Sequence, residues 1–381
     1  MTGLAVKLCI SFGLHRRACT SRFGIRSELD KRLFWTCYIL DRDVTFTMGR
    51  PPSICDHDID IQLPLDVNED SIRPDEFRNA MARDPGLPAD PPTTLTRFIH
   101  LVRLKRIGSR IQHTIYRVDR PIDSSENKEE AFLQQIEDWR ERIPKKHQEE
   151  GPNNLLHNYM AQYHSCIRFL LFARLTEETV NPRFFEMGVQ ACIGVCKAFK
   201  RVHQQCITNL YTPMTTMSLF LAGFTLLYCH WRSPEAMAMS LVHDALTDCA
   251  IMLYVMTERW RPAEKYRKAF ECLKQLIVDR NSQQDHATVL ARNIPLEPET
   301  RTTLDGIHQD LGIDAFSQMI MEVTGGDYAD RQGWDATAFQ TTFEDDAHAF
   351  DDSEAYEFDP LMANLSFWDA AAGDPEGFFA R

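Results

Sequence analysis

Apolar residues recur at helical spacing along most of this chain. Leu4, Leu8 and Phe12 stand four residues apart, and Leu29, Leu33, Cys37, Leu40 and Val44 repeat every three or four. The second set predicts one apolar face of a long helix. Phe34, Trp35, Tyr38 and Ile39 widen that face until little of the circumference is polar, so the helix is expected to be buried on most sides. Ser27 followed by Glu28 and Asp30 reads as an N-cap with acidic first-turn residues. Gly49 breaks the helix, and Pro51-Pro52 prevents its return. Residues 65–92, rich in Pro, Asp, Asn and Gly, predict a long surface loop with a short helix over 74–81. Further helices are expected over 94–118, from Asp123 to 143, and over 155–176. Asn181-Pro182, Thr212-Pro213 and Ser233-Pro234 each place a capping residue before a first-turn proline and mark three more starts. The pattern continues over 254–279, with Arg261-Pro262 restarting it. No sustained period-two alternation and no repeat of 20–50 residues is present. The expected fold class is all-α, a multi-helix body.

One segment tests that reading. Residues 214–231, MTTMSLFLAGFTLLYCHW, carry no charged residue and are nearly long enough to span a bilayer. Thr215, Thr216, Ser218, Thr225 and His230 make the run less apolar than a span, and there is no clear basic flank. A central core helix is the better reading, with no membrane partner.

Charge divides the chain. The formal net charge is −13. Residues 304–381 hold eighteen Asp/Glu against two Lys/Arg, so the preceding part is close to neutral. That part shows no continuous basic stripe of the kind a nucleic-acid surface needs. Arg97, Arg103, Lys105, Arg106 and Arg110 share one predicted helix and read as a solvated face opposite acidic neighbours. The eleven cysteines are scattered, odd in number, and never in a C-x-x-C pair. They read as reduced core residues, Cys192 and Cys196 included.

Asp41 and Arg42 fall beside an apolar environment, where a lone charge is costly and a paired one is expected. The turn at 49–52 brings Arg50 back towards the helix end. Asp41 is therefore expected to pair with Arg50 or Arg32 as a structural lock. The run Asp56-His57-Asp58-Ile59-Asp60 is short, lacks a second ligand group and reads as a loop rather than a metal site. No phosphate loop, dinucleotide fingerprint, nucleophile elbow or aspartate-rich diphosphate motif occurs, and no catalytic residue is assigned.

The order of these features carries a resemblance. Gly13-Leu14-His15-Arg16 is followed by Arg32, Phe34-Trp35, Tyr38 and Asp41-Arg42, then Gly49-Arg50-Pro51, then Asp58, Asp60-Ile61 and Pro64. This resembles the middle regulatory domain of fungal zinc binuclear cluster transcription factors. Lys31 stands where that family often has an additional arginine. The clear match covers 13–64. The resemblance implies a regulatory domain over 1–292 and regulation of RNA polymerase II transcription in a fungal nucleus, with activation expected. It also implies zinc, but only for an N-terminal six-cysteine module that contacts DNA and is not present in this sequence. No cofactor is expected in this chain. Met1 begins inside a helical pattern, so the chain is expected to be amino-terminally truncated, a fragment or a mispredicted start, and a real protein lacking the module stays open. A homodimer is compatible with the family. A helical regulatory or scaffold protein that binds a partner or small ligand without binding DNA stays open.

Residues 293–381 form the second region. Twelve aromatics lie among the eighteen acids after residue 303. Repelling charges and isolated apolar residues disfavour a core, so a disordered tail is expected. Acids that keep aromatics exposed suit an activation region docking on coactivators or the transcription machinery. Phe358, Leu361, Met362 and Leu365 would share one face of a transient helix, and Phe367 and Trp368 add anchors. An inert solubilising tail, or one folding back on the helical body, stays open.

Overall fold

The computed structural model describes residues 2–17, 24–116, 127–149, 155–177, 179–205, 211–233, 239–283, 298–311 and 314–324. Among them are twelve α-helices and no strand. They are α1 (Thr2–Ser11), α2 (Ile25–Met48), α3 (Pro74–Met81), α4 (Thr96–Ile115), α5 (Asn127–Glu141), α6 (Leu156–Leu171), α7 (Pro182–Gln204), α8 (Pro213–Arg232), α9 (Met239–Arg259), α10 (Glu264–Gln283), α11 (Pro298–Leu311) and α12 (Asp314–Thr324). The all-α expectation is met, and most helices fall where periodicity and caps placed them. Asn181 Oδ1 accepts from the Arg183 amide at 3.0 Å, and Thr212 Oγ1 from the Thr215 amide at 3.1 Å. Both caps precede a first-turn proline. The start expected after Ser233 lies outside the described residues.

The apolar run at 214–231 is α8, the central post. Leu219, Phe220, Leu221, Ala222, Leu226, Leu227 and Tyr228 are fully buried. α7, α9 and α10 surround it, and no described helix is long and apolar enough to cross a membrane. A close approach makes this possible. A Cβ built on Gly223 would sit 2.5 Å from Cys249 Sγ and 2.7 Å from the Phe270 ring, so only glycine lets α9 and α10 lie against α8 there. A second apolar cluster joins α4, α5 and α6, and a third joins α1, α2, Ile54 and Val102.

Two expectations are corrected. The helical body continues past residue 292. Leu304, Ile307 and Leu311 of α11 and Phe316, Met319, Ile320 and Val323 of α12 are buried in the main core. Their helical spacing is clear locally but is masked when charge is averaged over the whole tail. The second correction concerns α2. The helix begins at Ile25 after an extended Gly24, with no side-chain cap, rather than at Ser27. Leu33 and Leu40, assigned to its buried face, are 40% and 42% exposed. Its buried face instead carries Glu28, Arg32, Trp35, Tyr38, Ile39, Asp41 and Arg42.

Candidate functional site

That mixed polar face has a task. α2 ends at Gly49, whose φ of 63° is left-handed and suits a residue without Cβ. The chain then runs back along α2 without regular strand or α-helix, apart from a 3-10 turn at Asp56–Asp58. Side chains of α2 hold this returning segment at intervals. Asp41 Oδ2 accepts from the Ser53 amide at 3.1 Å, and Arg42 Nη2 donates to the Ile54 carbonyl at 2.7 Å. Trp35 Nε1 donates to the Gln62 carbonyl at 3.0 Å, and Arg32 Nη1 to the Glu69 carbonyl at 3.0 Å. Glu28 Oε2 accepts from the Leu65 amide at 2.8 Å. Most of these residues on α2 are three or four apart or a multiple of that, so one helical face reaches an extended backbone at successive points.

Arg42 is the hub. Its side chain is 0% exposed. Nη1 meets Asp41 Oδ2 at 2.6 Å, Nη2 meets Asp56 Oδ1 at 2.8 Å, and Nε donates to Ser109 Oγ of α4 at 3.0 Å. Tyr38 lies under the guanidinium, 4.2 Å from its ring centroid, and donates its hydroxyl to Asp56 Oδ1 at 2.9 Å. Burial pushes the Tyr38 pKa far up, so the phenol stays a donor. Burial opposes the charge on Arg42, yet Tyr38, Asp56 and Asp41 together hold its pKa above the ordinary value.

The lock on Asp41 therefore exists, but its partner is the adjacent Arg42 and not Arg50 or Arg32. Arg50 is exposed and forms no ion pair among the described residues, and Arg32 faces Glu69. Pro51 follows on the exposed turn, and Asp58 is exposed on the 3-10 turn. Asp56 is the residue that sequence reading missed. Its role depends on how far the turn at 49–52 returns the chain, for which no periodic signal exists.

Above this hub lies a cleft of about 570 Å³ between α4 and α5, bordered by Cys55, Asp56 and His57. Arg103, Arg106 and Arg110 of α4 and Arg142 beyond α5 line it. Acidic neighbours expected for the arginines of α4 are present in part: Asp56 and Asp138 also line the cleft, and Asp66 and Asp84 act on Arg103. Arg110 and Arg142 form no ion pair among the described residues, and Arg103 donates to the Pro85 carbonyl at 2.6 Å. Burial lowers the Arg103 pKa, although Asp66 opposes this, and Arg142 adds to the lowering. The floor is a reciprocal pair. His100 Nε2 donates to the Trp139 carbonyl at 3.0 Å, Trp139 Nε1 donates to the His100 carbonyl at 2.7 Å, and the rings stack at 4.5 Å. Burial, and then Arg103, lower the His100 pKa to about 4, so the ring is neutral.

Cys9, Cys166, Cys192, Cys196, Cys229 and Cys249 are buried and pack as small apolar residues. Burial raises the Cys166 and Cys192 thiols to about 12, so neither is a thiolate at neutral pH. Among the described residues no group of three or more His, Cys, Asp or Glu is placed to hold a metal ion. Cys19 and Cys206, and the activation residues Phe358, Leu361, Met362, Leu365, Phe367 and Trp368, lie outside the described residues.

Residues 1–145, which include the α2 comb and most of the cleft, match the family model described as fungal specific transcription factor domain. The chain is 26% identical over 279 residues to an uncharacterized transcriptional regulatory protein of Saccharomyces cerevisiae, covering 65% of this chain and 19% of the relative. It is 28% identical over 342 residues to an ABC-transporter-regulating transcription factor of Aspergillus oryzae, covering 78% and 36%. It is 22% identical over 302 residues to a positive regulator of purine utilization of Emericella nidulans, covering 66% and 28%. The chain thus spans 19% to 36% of the length of these relatives. No solved structure matches it.

Proposed function

Given the fungal specific transcription factor domain in residues 1–145, we propose that this chain regulates RNA polymerase II transcription in a fungal nucleus, as an activator. The observation that carries the reading is the coincidence of that match with the α2 comb. Arg32, Trp35, Tyr38, Asp41 and Arg42 of the sequence signature hold the returning segment on α2. The helical body then acts as a regulatory domain, and the acidic aromatic segment after α12 contacts coactivators or the transcription machinery. No catalytic residue or resident cofactor is assigned. Zinc and direct DNA contact belong to the six-cysteine module of the family.

The test is a fusion of residues 325–381 to an unrelated DNA-binding domain, read by a reporter in yeast. Reporter activation is expected. Alanine at Phe358, Leu361, Leu365, Phe367 and Trp368 should reduce it more than neutralising Asp345, Asp346, Asp351 and Asp352, because the apolar face supplies most of the affinity. A silent fusion overturns the activator assignment.

A second reading, a regulatory protein that docks a partner or small ligand without binding DNA, draws support from the arginine-lined cleft. The coding sequence upstream of Met1 separates the two: an in-frame six-cysteine module rules out the second reading, and an upstream stop rules out the first.

A further inference from the structure

The interior side of α6 holds a cation without an anion. Arg168 is 3% exposed and forms no ion pair or hydrogen bond among the described residues, and its Nε is buried and unpartnered. Burial lowers its pKa. Its guanidinium lies 5.5 Å from the Phe172 ring centroid. The C-terminal end of α6 offsets part of the charge, since Arg168 stands in its last turn. A buried guanidinium still calls for a counter-charge.

Arg168 lines a pocket of about 110 Å³, where α2, α4, α6, α7 and α8 meet. The other cation there is already matched: Lys105 Nζ meets Asp43 Oδ1 at 2.5 Å and donates to Gln162 Oε1 at 2.9 Å. Arg168 is therefore the excess positive charge of the pocket. Ser165 faces Ser218 across it, Oγ to Oγ 3.4 Å. Thr212, Met214 and Thr215, the start of α8, also line it, which brings the positive end of a 20-residue helix dipole to the same place. Phe46, Leu104 and Phe199 supply an apolar wall.

We propose that this pocket binds a small monocarboxylate, its charge on Arg168, its oxygens on the hydroxyls of Ser165, Thr215 and Ser218, and its short apolar tail against Phe46 and Phe199. One excess cation selects a single negative charge. The guanidinium fork matches a carboxylate better than a halide. An apolar cavity of about 150 Å³ accepts benzene, so this volume suits a ligand of about four to six non-hydrogen atoms. Because the lining includes the C-terminal end of α2 and the start of α8, occupancy would tie the signature helix to the central core.

Thermal unfolding of the full chain tests the site, with sodium acetate, propionate and butyrate as probes against sodium chloride at equal ionic strength. The carboxylates should raise the midpoint by about 2–4 °C near saturation, with chloride giving no such rise. Arg168→Met should abolish the difference between carboxylate and chloride. The Thr215→Val/Ser218→Ala double variant should fold and weaken the apparent affinity about 5–10-fold. Equal midpoints in carboxylate and chloride overturn the proposal, as does an undiminished carboxylate response in Arg168→Met. If Arg168→Met does not fold, the double variant decides, and an undiminished response in it overturns the site.

Discussion

Arg42 Nη1 and Asp41 Oδ2 lie 2.6 Å apart, although the two residues are neighbours in sequence. Adjacent side chains on a helix diverge by about 100°, so they meet only where something else gathers them. Here the returning segment does so: Asp41 turns to the Ser53 amide and Arg42 to the Ile54 carbonyl. Arg42→Ala would leave Asp41 buried without its cation and should cost about 3–5 kcal/mol in urea unfolding. Asp41→Asn keeps the shape, and Arg42 keeps Asp56, so about 1.5–3 kcal/mol is expected. Arg50→Ala should stay within about 0.5 kcal/mol. A large effect at Arg50 would return it to the lock.

Stability should fall in mild acid. His100 titrates at about 4 in the folded chain and near its ordinary 6.5 when unfolded. The unfolded state therefore binds the extra proton first. The contribution of His100 is fully present above pH 6.5 and is lost as pH falls to 4, amounting to about 2–3 kcal/mol. His164, lowered to about 4 chiefly by burial, acts in the same direction. Denaturant midpoints measured from pH 7.5 to 4 should slope accordingly, and His100→Phe, which keeps a ring against Trp139, should flatten the slope.

Gly223→Ala should destabilise by about 1–3 kcal/mol through overpacking, because the new methyl meets Cys249 and Phe270. In a double-mutant cycle, Cys249→Ala should recover part of the loss. Strict additivity would show that the helices separate instead.

Truncation should separate the helical body from the acidic segment beyond α12. A chain ending at residue 324 should keep the unfolding midpoint of the full chain. One ending at 292 loses the buried faces of α11 and α12 and uncovers part of α8 and α10. Phe316→Ala alone should cost about 3–5 kcal/mol, since the ring is fully buried against Phe220 and Phe224.

Much of the helical scaffold is legible because its signals are local. Asn181 and Thr212 announce their helices by capping before proline, and the uncharged stretch of α8 reads as interior by composition. α2 shows the limit. Counting apolar residues selects the face of Leu33 and Leu40, two residues that are exposed. The buried face is chosen by hydrogen bonds to a segment as far as 37 residues away, as from Arg32 to Glu69, and hydropathy does not register these. Asp56 and the excess charge at Arg168 depend on which helices meet, so neither leaves a trace in spacing. The order of Trp35, Asp41, Gly49 and Pro64 carries the domain assignment without revealing which side chains touch.

The comb on α2 grips mainly amides and carbonyls. Those atoms are the same whatever residue supplies them, except where proline removes a donor. The constraint on the two partners is therefore unequal. Glu28, Arg32, Trp35, Asp41 and Arg42 must keep their identities, while the positions they hold at 53, 54, 62, 65 and 69 are read through the backbone. Substitution should accumulate more freely at 53, 62 and 69, with proline excluded at 53, whereas Ile54 and Leu65 are held by apolar packing as well and Asp56 by its carboxylate. The returning segment can thus drift in sequence at 53, 62 and 69, while its path stays fixed by a helix that cannot change.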